Sequence, residues 1–400
     1  MSESTLKQEP VKEEKKGLLK LLKSNLRDYA MFIVLAIIFI VFTITTQGTF
    51  LLPRNMSDLL NQTGYVAILA IGMTLILIIV NIDLSVGFVA GFTGAVAALL
   101  LQKGVNVWLT ILICLLIGAA IGIYQGSLVA YLNVPAFVAT LAGMFIFRGL
   151  LLLVTGSTGS IIITNDLFKG IAKYMPDIDS NSSFHLLTVI LGAIGIVAII
   201  IGQISDRKTK EKYDFKVGSV TSFVIRLSLL CALVGFFIYK LAKGRGLPIS
   251  AAIVLVVLFI YNFILNRTKL GRNIYAIGGN IEAAALSGVN VKKVYMFVFV
   301  SMSTLASLAG IMYTSRIGSA APSAGNGFEM DAIASSYIGG VAVSGGIGKV
   351  TNTMVGALVI MALTNGLTLM GVNSAYQYIA KGLIFILAVA FDVNSRKSAK

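Results

Sequence analysis

Apolar runs long enough to cross a bilayer recur along this chain, separated by short polar segments. A helix needs about 20 apolar residues to span a hydrocarbon core of about 30 Å. On that measure the first span is 30–46, and further spans fall at 62–80, 84–102, 107–132, 136–154, 184–202, 220–238, 248–265, 294–314, 331–347, 350–371 and 374–391. The pattern predicts an all-α polytopic membrane protein with about twelve transmembrane helices. The run at 331–347 is the weakest of the twelve, because Gly339, Gly340, Gly345 and Gly346 interrupt it. A re-entrant or broken helix is the other reading there, allowed where protein or a water-filled cavity buries the backbone.

Composition supports the same class. Hydrophobic residues make up 57% of the chain and charged residues 12%, against about a quarter charged in a soluble domain. The 40 glycines suit close backbone approach between helices in lipid. The net charge of +15 does not imply nucleic acid, because the basic residues gather in particular loops as the positive-inside rule predicts. With the N-terminus in the cytoplasm, 203–219, 266–293 and 392–400 fall on that side. They carry Arg207, Lys208, Lys210, Lys212, Lys216, Arg267, Lys269, Arg272, Lys292, Lys293, Arg396, Lys397 and Lys400. Lys240, Lys243 and Arg245 go against the trend, facing outward. Both termini are then cytoplasmic, with tails at 1–29 and 394–400 around a transmembrane domain at 30–393. Leu18–Leu26 reads either as a short amphipathic surface helix or as part of a disordered tail.

Few residues carry chemistry. Cys114 and Cys231 both lie in apolar spans, and the single histidine, His185, begins one, so neither a disulfide nor a metal site is expected. Asn81, Asp83 and Ser85 form the polar cluster of the first half. They read either as a patch beside a substrate pathway or as a tight cytoplasmic turn in which Asp83 caps a helix starting at Leu84. Lys381 lies near the middle of its span and is a candidate for an internal ion pair or a pathway contact. Gln125, Thr140, Asn365 and Gln377 are further polar positions, each suited to interhelical hydrogen bonds. The Gly-rich stretch at 344–351 fails as a phosphate loop: the required first glycine falls on Val343, and Val350 replaces Ser/Thr. No nucleotide or other cofactor site is read in the chain.

The loop at 266–293 departs from what a bilayer requires. A glycine turn at Gly278 and Gly279 leads to Asn280, suited to cap a short helix over 281–288. Glu282 favours the positive end of that helix, while Ala283, Ala284 and Ala285 leave its backbone open to close contact. Gly288 then permits a left-handed exit. Two helical turns are unstable alone, so the membrane helices, a partner or both must hold them.

These residues resemble a known family. Glu282-Ala-Ala-Ala-Leu-Ser-Gly288 fits the Glu-Ala-Ala-x-x-x-Gly loop of ABC importer permeases. The run from Leu270 to Asn280, Asp83-Leu-Ser-Val-Gly87, the stretch Asn133–Leu141, the stretch Gly339–Gly346 and the stretch Tyr376–Gly382 are similar to ribose, xylose and galactoside permeases. The resemblance covers roughly 30–393, and the added length at 203–247, containing an extra span, is similar to the xylose and multiple-monosaccharide branch. It implies a ten-span core with two extra crossings and a permease paired with a second copy of itself. It also implies a separate ABC ATPase that binds ATP and Mg and receives Gly278, Gly279, Asn280, Glu282, Ala283, Ala284 and Gly288. An extracytoplasmic sugar-binding protein would land on 155–183 and 315–330. The same architecture serving a nucleoside or a branched-chain amino acid, or an ion-coupled carrier, are the alternatives.

Overall fold

The computed structural model describes residues 18–156, 159–179, 182–213, 215, 217 and 219–397; the side chains of 18–30, 226, 229, 388 and 391–397 lie outside the description, as do the tail segments 1–17 and 398–400. The chain folds into a helical bundle: α1 (Leu18–Thr45), α2 (Pro53–Ile78), α3 (Val86–Gln102), α4 (Val107–Ala130), α5 (Ala136–Thr155), β1 (Ile161–Ile162), α6 (Asp166–Lys169), α7 (Leu186–Lys212), α8 (Val220–Ala242), α9 (Ile249–Arg267), α10 (Lys269–Gly279), α11 (Ile281–Leu286), α12 (Val291–Ile317), β2 (Ser319–Ala320), α13 (Phe328–Ile338), α14 (Val350–Leu369) and α15 (Ser374–Lys397). Among the described residues, eight helices are long and apolar enough to cross a membrane: α2, α4, α5, α7, α8, α9, α12 and α14. Shorter apolar helical segments run over Met31–Thr45 and Val86–Gln102. The protein is therefore an all-α, multi-pass membrane protein.

The helix ends follow from local chemistry. Pro53 opens α2, where its missing N–H removes a donor that has no helical partner anyway. Asn106 caps α4 by accepting from Trp108 N, Ser219 caps α8 by accepting from Ser222 N, and His185 caps α7 by accepting from Thr188 N. Backbone helix is continuous from Leu18 into the first span, so the amphipathic segment expected at Leu18–Leu26 is the start of α1 rather than a separate helix.

α2 is the central strut, almost wholly buried and packed by α12, α14 and α13. In lipid no hydrophobic force drives helices together, so association depends on packing and interhelical hydrogen bonds. The α4–α12 contact shows how this is met. Gly118 and Gly122, one turn apart on α4, let α12 come so close that an added Cβ would stand 2.2 Å from Ser307 Oγ and 2.5 Å from Val300 Cα respectively. By contrast α7 and α8 form a peripheral hairpin with most of its surface uncovered, as an addition to a core would.

Three expectations need correction. The run at 331–347 is not a full span, and the broken-helix reading fits it: an 11-residue helix, α13, is followed by non-helical chain to Lys349. At 1.5 Å per residue it reaches only about 16 Å, half of a bilayer core. Gly339 and Gly340 close the helix; Gly339 is buried and Gly340 exposed, while the helix itself packs on α2, α3 and α14. The connection after α2 is not a three-residue turn but runs over 79–85, and α3 begins at Val86 rather than Leu84. Finally Gly278 and Gly279 do not form a turn: they are the last residues of α10, an unexpected amphipathic helix capped by Thr268.

Candidate functional site

At one end of the bundle, α10 and α11 form a compact two-helix unit. Asn280 has extended backbone (φ −160°, ψ 111°), which breaks the helix. Its N–H ends α10 on Ala276 O, and its Oδ1 accepts from Ala283 N at 2.9 Å to start α11. Gly288 takes φ +81° and closes α11, with its N–H on Ala285 O and the Val289 N–H on Ala284 O. Asn290 then caps α12 through Lys293 N at 3.0 Å. Glu282 sits exposed in the first turn.

The two faces of α11 differ from expectation. Ala284 is only 4% exposed and seats the helix on the bundle, so it is not part of the open surface. Ala283 and Ala285 are open, and Leu286 is 90% exposed. Among the described residues nothing covers this leucine at the helix end, an exposed apolar position that reading the alanines missed. At this end Tyr275 donates to Gly348 O at 2.7 Å, and burial pushes its phenol pKa up, so it stays a donor.

The cluster at 81–85 lies inside the bundle. Asp83 and Ser85 are fully buried. Asp83 Oδ1 accepts from Ser85 N at 2.9 Å and from Ser85 Oγ at 2.7 Å, forming a local Asx turn rather than a helix cap. The Ser85 hydroxyl in turn accepts from Gln125 Nε2 on α4 at 2.7 Å, and Ser303 of α12 donates to Gln125 Oε1 at 3.4 Å. Thr140 of α5 donates to Ile82 O at 3.2 Å, and the Asn81 side chain meets the Tyr295 side chain of α12. Among the described residues, Asp83 Oδ2 is buried without a hydrogen-bond partner. The segment is thus held by three helices at once.

Lys381 lies apart from this cluster. Its ammonium is 2.9 Å from Asp331 Oδ1 and 3.0 Å from Oδ2, in the first turn of α13. Asp331 was not singled out by sequence, although acids at the start of a helix inside a membrane protein are the available signal. Just before it, Gly327 (φ +81°) turns the chain into α13, and Phe328 stacks with Tyr65 and Tyr313 at ring separations of 4.8 and 4.9 Å. Gln377 and Asn365 serve structure: Gln377 bonds Val372 O, and Asn365 exchanges bonds with Asn55 of α2.

At the opposite end from α11, β1 pairs with β2 in antiparallel register, Ile161 with Ala320 and Ile162 with Ser319. This joins the segments 155–183 and 315–330 into one surface. Ser315 strengthens the join, donating to Phe168 O at 2.7 Å and accepting from Ala172 N at 3.1 Å. Arg245, one of the outlying basic residues, bridges Asp58 at 3.0 Å and lies over the Tyr174 ring. Tyr174 also donates to Asp58; burial first, and then this bond, raises its phenol pKa. Among the described residues, no three His, Cys, Asp or Glu side chains gather as a metal site would.

The site belongs to a multi-pass helical membrane protein with broken helices, buried polar pairs at the breaks and a small capped helix exposed at one end. Residues 55–389 match the family described as branched-chain amino acid transport system / permease component. The chain is 36% identical to the xylose transport system permease protein XylH of Haemophilus influenzae, over 94% of this chain and 99% of the relative. It is 38% identical to XylH of Escherichia coli (93% of each), and 34% identical to the ribose import permease protein RbsC of Escherichia coli (90% of this chain, 92% of the relative). No solved structure matches. The chain belongs to this permease family, among its ABC permeases of the ribose/xylose type.

Proposed function

We propose that this chain is the permease subunit of an ATP-driven ABC importer carrying a monosaccharide across the bacterial cytoplasmic membrane. In this reading α11 projects into the cytoplasm and docks on a separate ATPase subunit, which holds ATP and Mg. A second copy of the permease completes the pathway, and an extracytoplasmic sugar-binding protein lands on the surface joined by β1 and β2. The observation that carries the reading is Leu286, 90% exposed on a helix whose other face is seated through Ala284. Exposed apolar side chains, Leu286 and Ile281, on a short, capped, alanine-rich helix at the basic end of the molecule fit a groove on a protein partner. The names of the xylose and ribose relatives support a monosaccharide as cargo.

The chemistry of the interior is compatible with a neutral polyol. A sugar needs hydrogen-bonding walls and aromatic faces rather than fixed charge. Tyr65, Tyr313 and Phe328 stand beside the α13 break, and the Lys381–Asp331 pair is internally neutralised. We place the pathway along this break rather than at Asp83, whose only described partner for its carboxylate is Ser85.

The test is reconstitution of the permease with its ATPase and binding protein in proteoliposomes, measuring uptake of labelled xylose and ribose with and without ATP. Leu286→Asp is expected to abolish ATPase copurification and uptake while leaving the thermal unfolding of the isolated permease unchanged. Uptake by the permease alone, or full ATPase binding by Leu286→Asp, would overturn the reading.

A further inference from the structure

The α10–α11 unit touches the bundle at few places, and one of them has no side-chain layer at all. A Cβ on Gly278, in the last turn of α10, would stand 1.9 Å from Ile78 O and 2.6 Å from Gly346 N. Those two atoms are themselves bonded, Gly346 N donating to Ile78 O at 2.9 Å. Three backbones therefore meet at one point: the end of α10, the end of α2, and the glycine turn at 345–346. Gly345 and Gly346 both have left-handed backbone (φ +76° and +69°), and a Cβ on Gly345 would strike Val80 at 2.3 Å. Tyr275, one turn earlier on α10, fixes the same turn by its bond to Gly348 O.

The two backbones beneath Gly278 lead to two non-helical stretches, 79–85 and 339–349, each partly buried in the bundle and partly exposed. From Ile78 the chain runs through 79–85 to the buried Asp83, Ser85, Gln125 and Ser303 bonds. From Gly346 it runs back through 339–344 to α13, the helix whose first turn holds Asp331 against Lys381. Non-helical segments absorb changes in φ and ψ that a packed helix cannot. Close-packed interiors transmit displacement rather than damp it, and backbone against backbone leaves no rotamer to yield.

We infer that the joint of Gly278 on Ile78 and Gly345–Gly346 is where movement of the α10–α11 unit enters the membrane bundle, with Gly278 and Tyr275 as positioning residues for transport. The inference rests on the functional reading above, in that something must move α11. It adds the route: displacement at α11 swings α10, and the joint drives 79–85 and 339–349 together. These stretches flank the two interior polar groups, so both respond to one input.

The experiment compares Gly278→Ala, Tyr275→Phe and, as a control on the exposed side of α10, Ala276→Ser in the full complex with ATPase and binding protein. Three quantities are read: ATPase copurification, ATP hydrolysis stimulated by sugar-loaded binding protein, and uptake per ATP hydrolysed. Gly278 is buried against Ile78 and so is not on the surface open to the ATPase, contrary to the expectation from sequence. Gly278→Ala is therefore expected to retain the ATPase yet lower uptake per ATP by about tenfold or more, within the usual range of coupling between sites. Tyr275→Phe should lower it roughly threefold, the scale of one neutral hydrogen bond. Ala276→Ser should match the unaltered complex. Unchanged uptake per ATP in Gly278→Ala overturns the joint. Should that variant not fold, Tyr275→Phe decides: a lowered ratio with hydrolysis retained supports the joint, and an unchanged ratio overturns it. A natural-sequence permease that binds no ATPase would instead overturn the functional reading, and the joint with it.

Discussion

Lys381 and Asp331 hold each other through both carboxylate oxygens, 50 positions apart in sequence and largely shielded from solvent. A buried pair of this kind is weak evidence of stability by itself, because desolvation offsets much of the attraction; breaking it by removing one partner leaves an uncompensated charge and costs about 3–5 kcal/mol. Lys381→Met is therefore expected to lower the stability of the detergent-solubilised permease by about that amount, measured by thermal or denaturant unfolding. Adding Asp331→Leu should recover most of the loss, since an apolar pair of similar volume is often neutral in such a site. A double variant as unstable as the single one would show that burial of charge is not what Lys381 relieves. The pair also marks how far single residues can be read from sequence. An intramembrane lysine stands out by itself, but its partner depends on which helix the fold lays beside it. Ala284 illustrates the same limit: a helix of two turns has too few residues for its buried face to be read from periodicity, so the alanine that seats it looked like surface.

At the scale of helices, the long spans were legible because bilayer thickness imposes a length that apolar runs must meet. α2, α4, α5, α9, α12 and α14 overlap the runs expected for them, with ends displaced by up to about two and a half turns, at the start of α2, where polar residues continue the helix beyond the apolar stretch. α13 was legible in part: the glycines that interrupt 331–347 pointed to a re-entrant or broken helix, but the start of the short helix at Phe328, set by the turn at Gly327, was not. α10 was missed because Gly278 and Gly279 read as a turn, while the close approach of Ile78 selects glycine inside a helix. The α4–α12 contact gives a test of that principle. Gly122→Ala would place a methyl 2.5 Å from Val300 Cα and 2.7 Å from Phe299 O, so the helices must separate; a loss of about 1–3 kcal/mol is expected. Gly149→Ala on α5 meets nothing within 4 Å and should be neutral, or gain up to about 1 kcal/mol from helix propensity. Equal effects at the two positions, read by unfolding midpoints, would mean that close approach is not what glycine supplies on α4.

For the whole molecule, the division between a packed centre and a peripheral hairpin sets where change is tolerated. α2 touches α12, α14, α13 and α9 along its length, and Ile68 at its centre has no exposed surface. α7 and α8 pack chiefly on each other, with α8 also against α2, and Ile201 on α7 is 62% exposed. In a membrane both side chains sit in apolar surroundings, so transfer out of water does not distinguish them; what differs is whether the neighbours can refill the space. Lipid chains flow into the gap left by a shortened side chain, whereas a helix core relaxes only in part and keeps a cavity. Ile68→Ala is accordingly expected to lower stability by about 2–5 kcal/mol. Ile201→Ala should fall within about 0.5 kcal/mol of the unaltered protein, as surface positions do. Denaturant unfolding of the two variants in the same bilayer mimic checks this. A large loss at Ile201 would mean that the hairpin face is covered by protein in the assembled state, which a second permease copy or another subunit would supply.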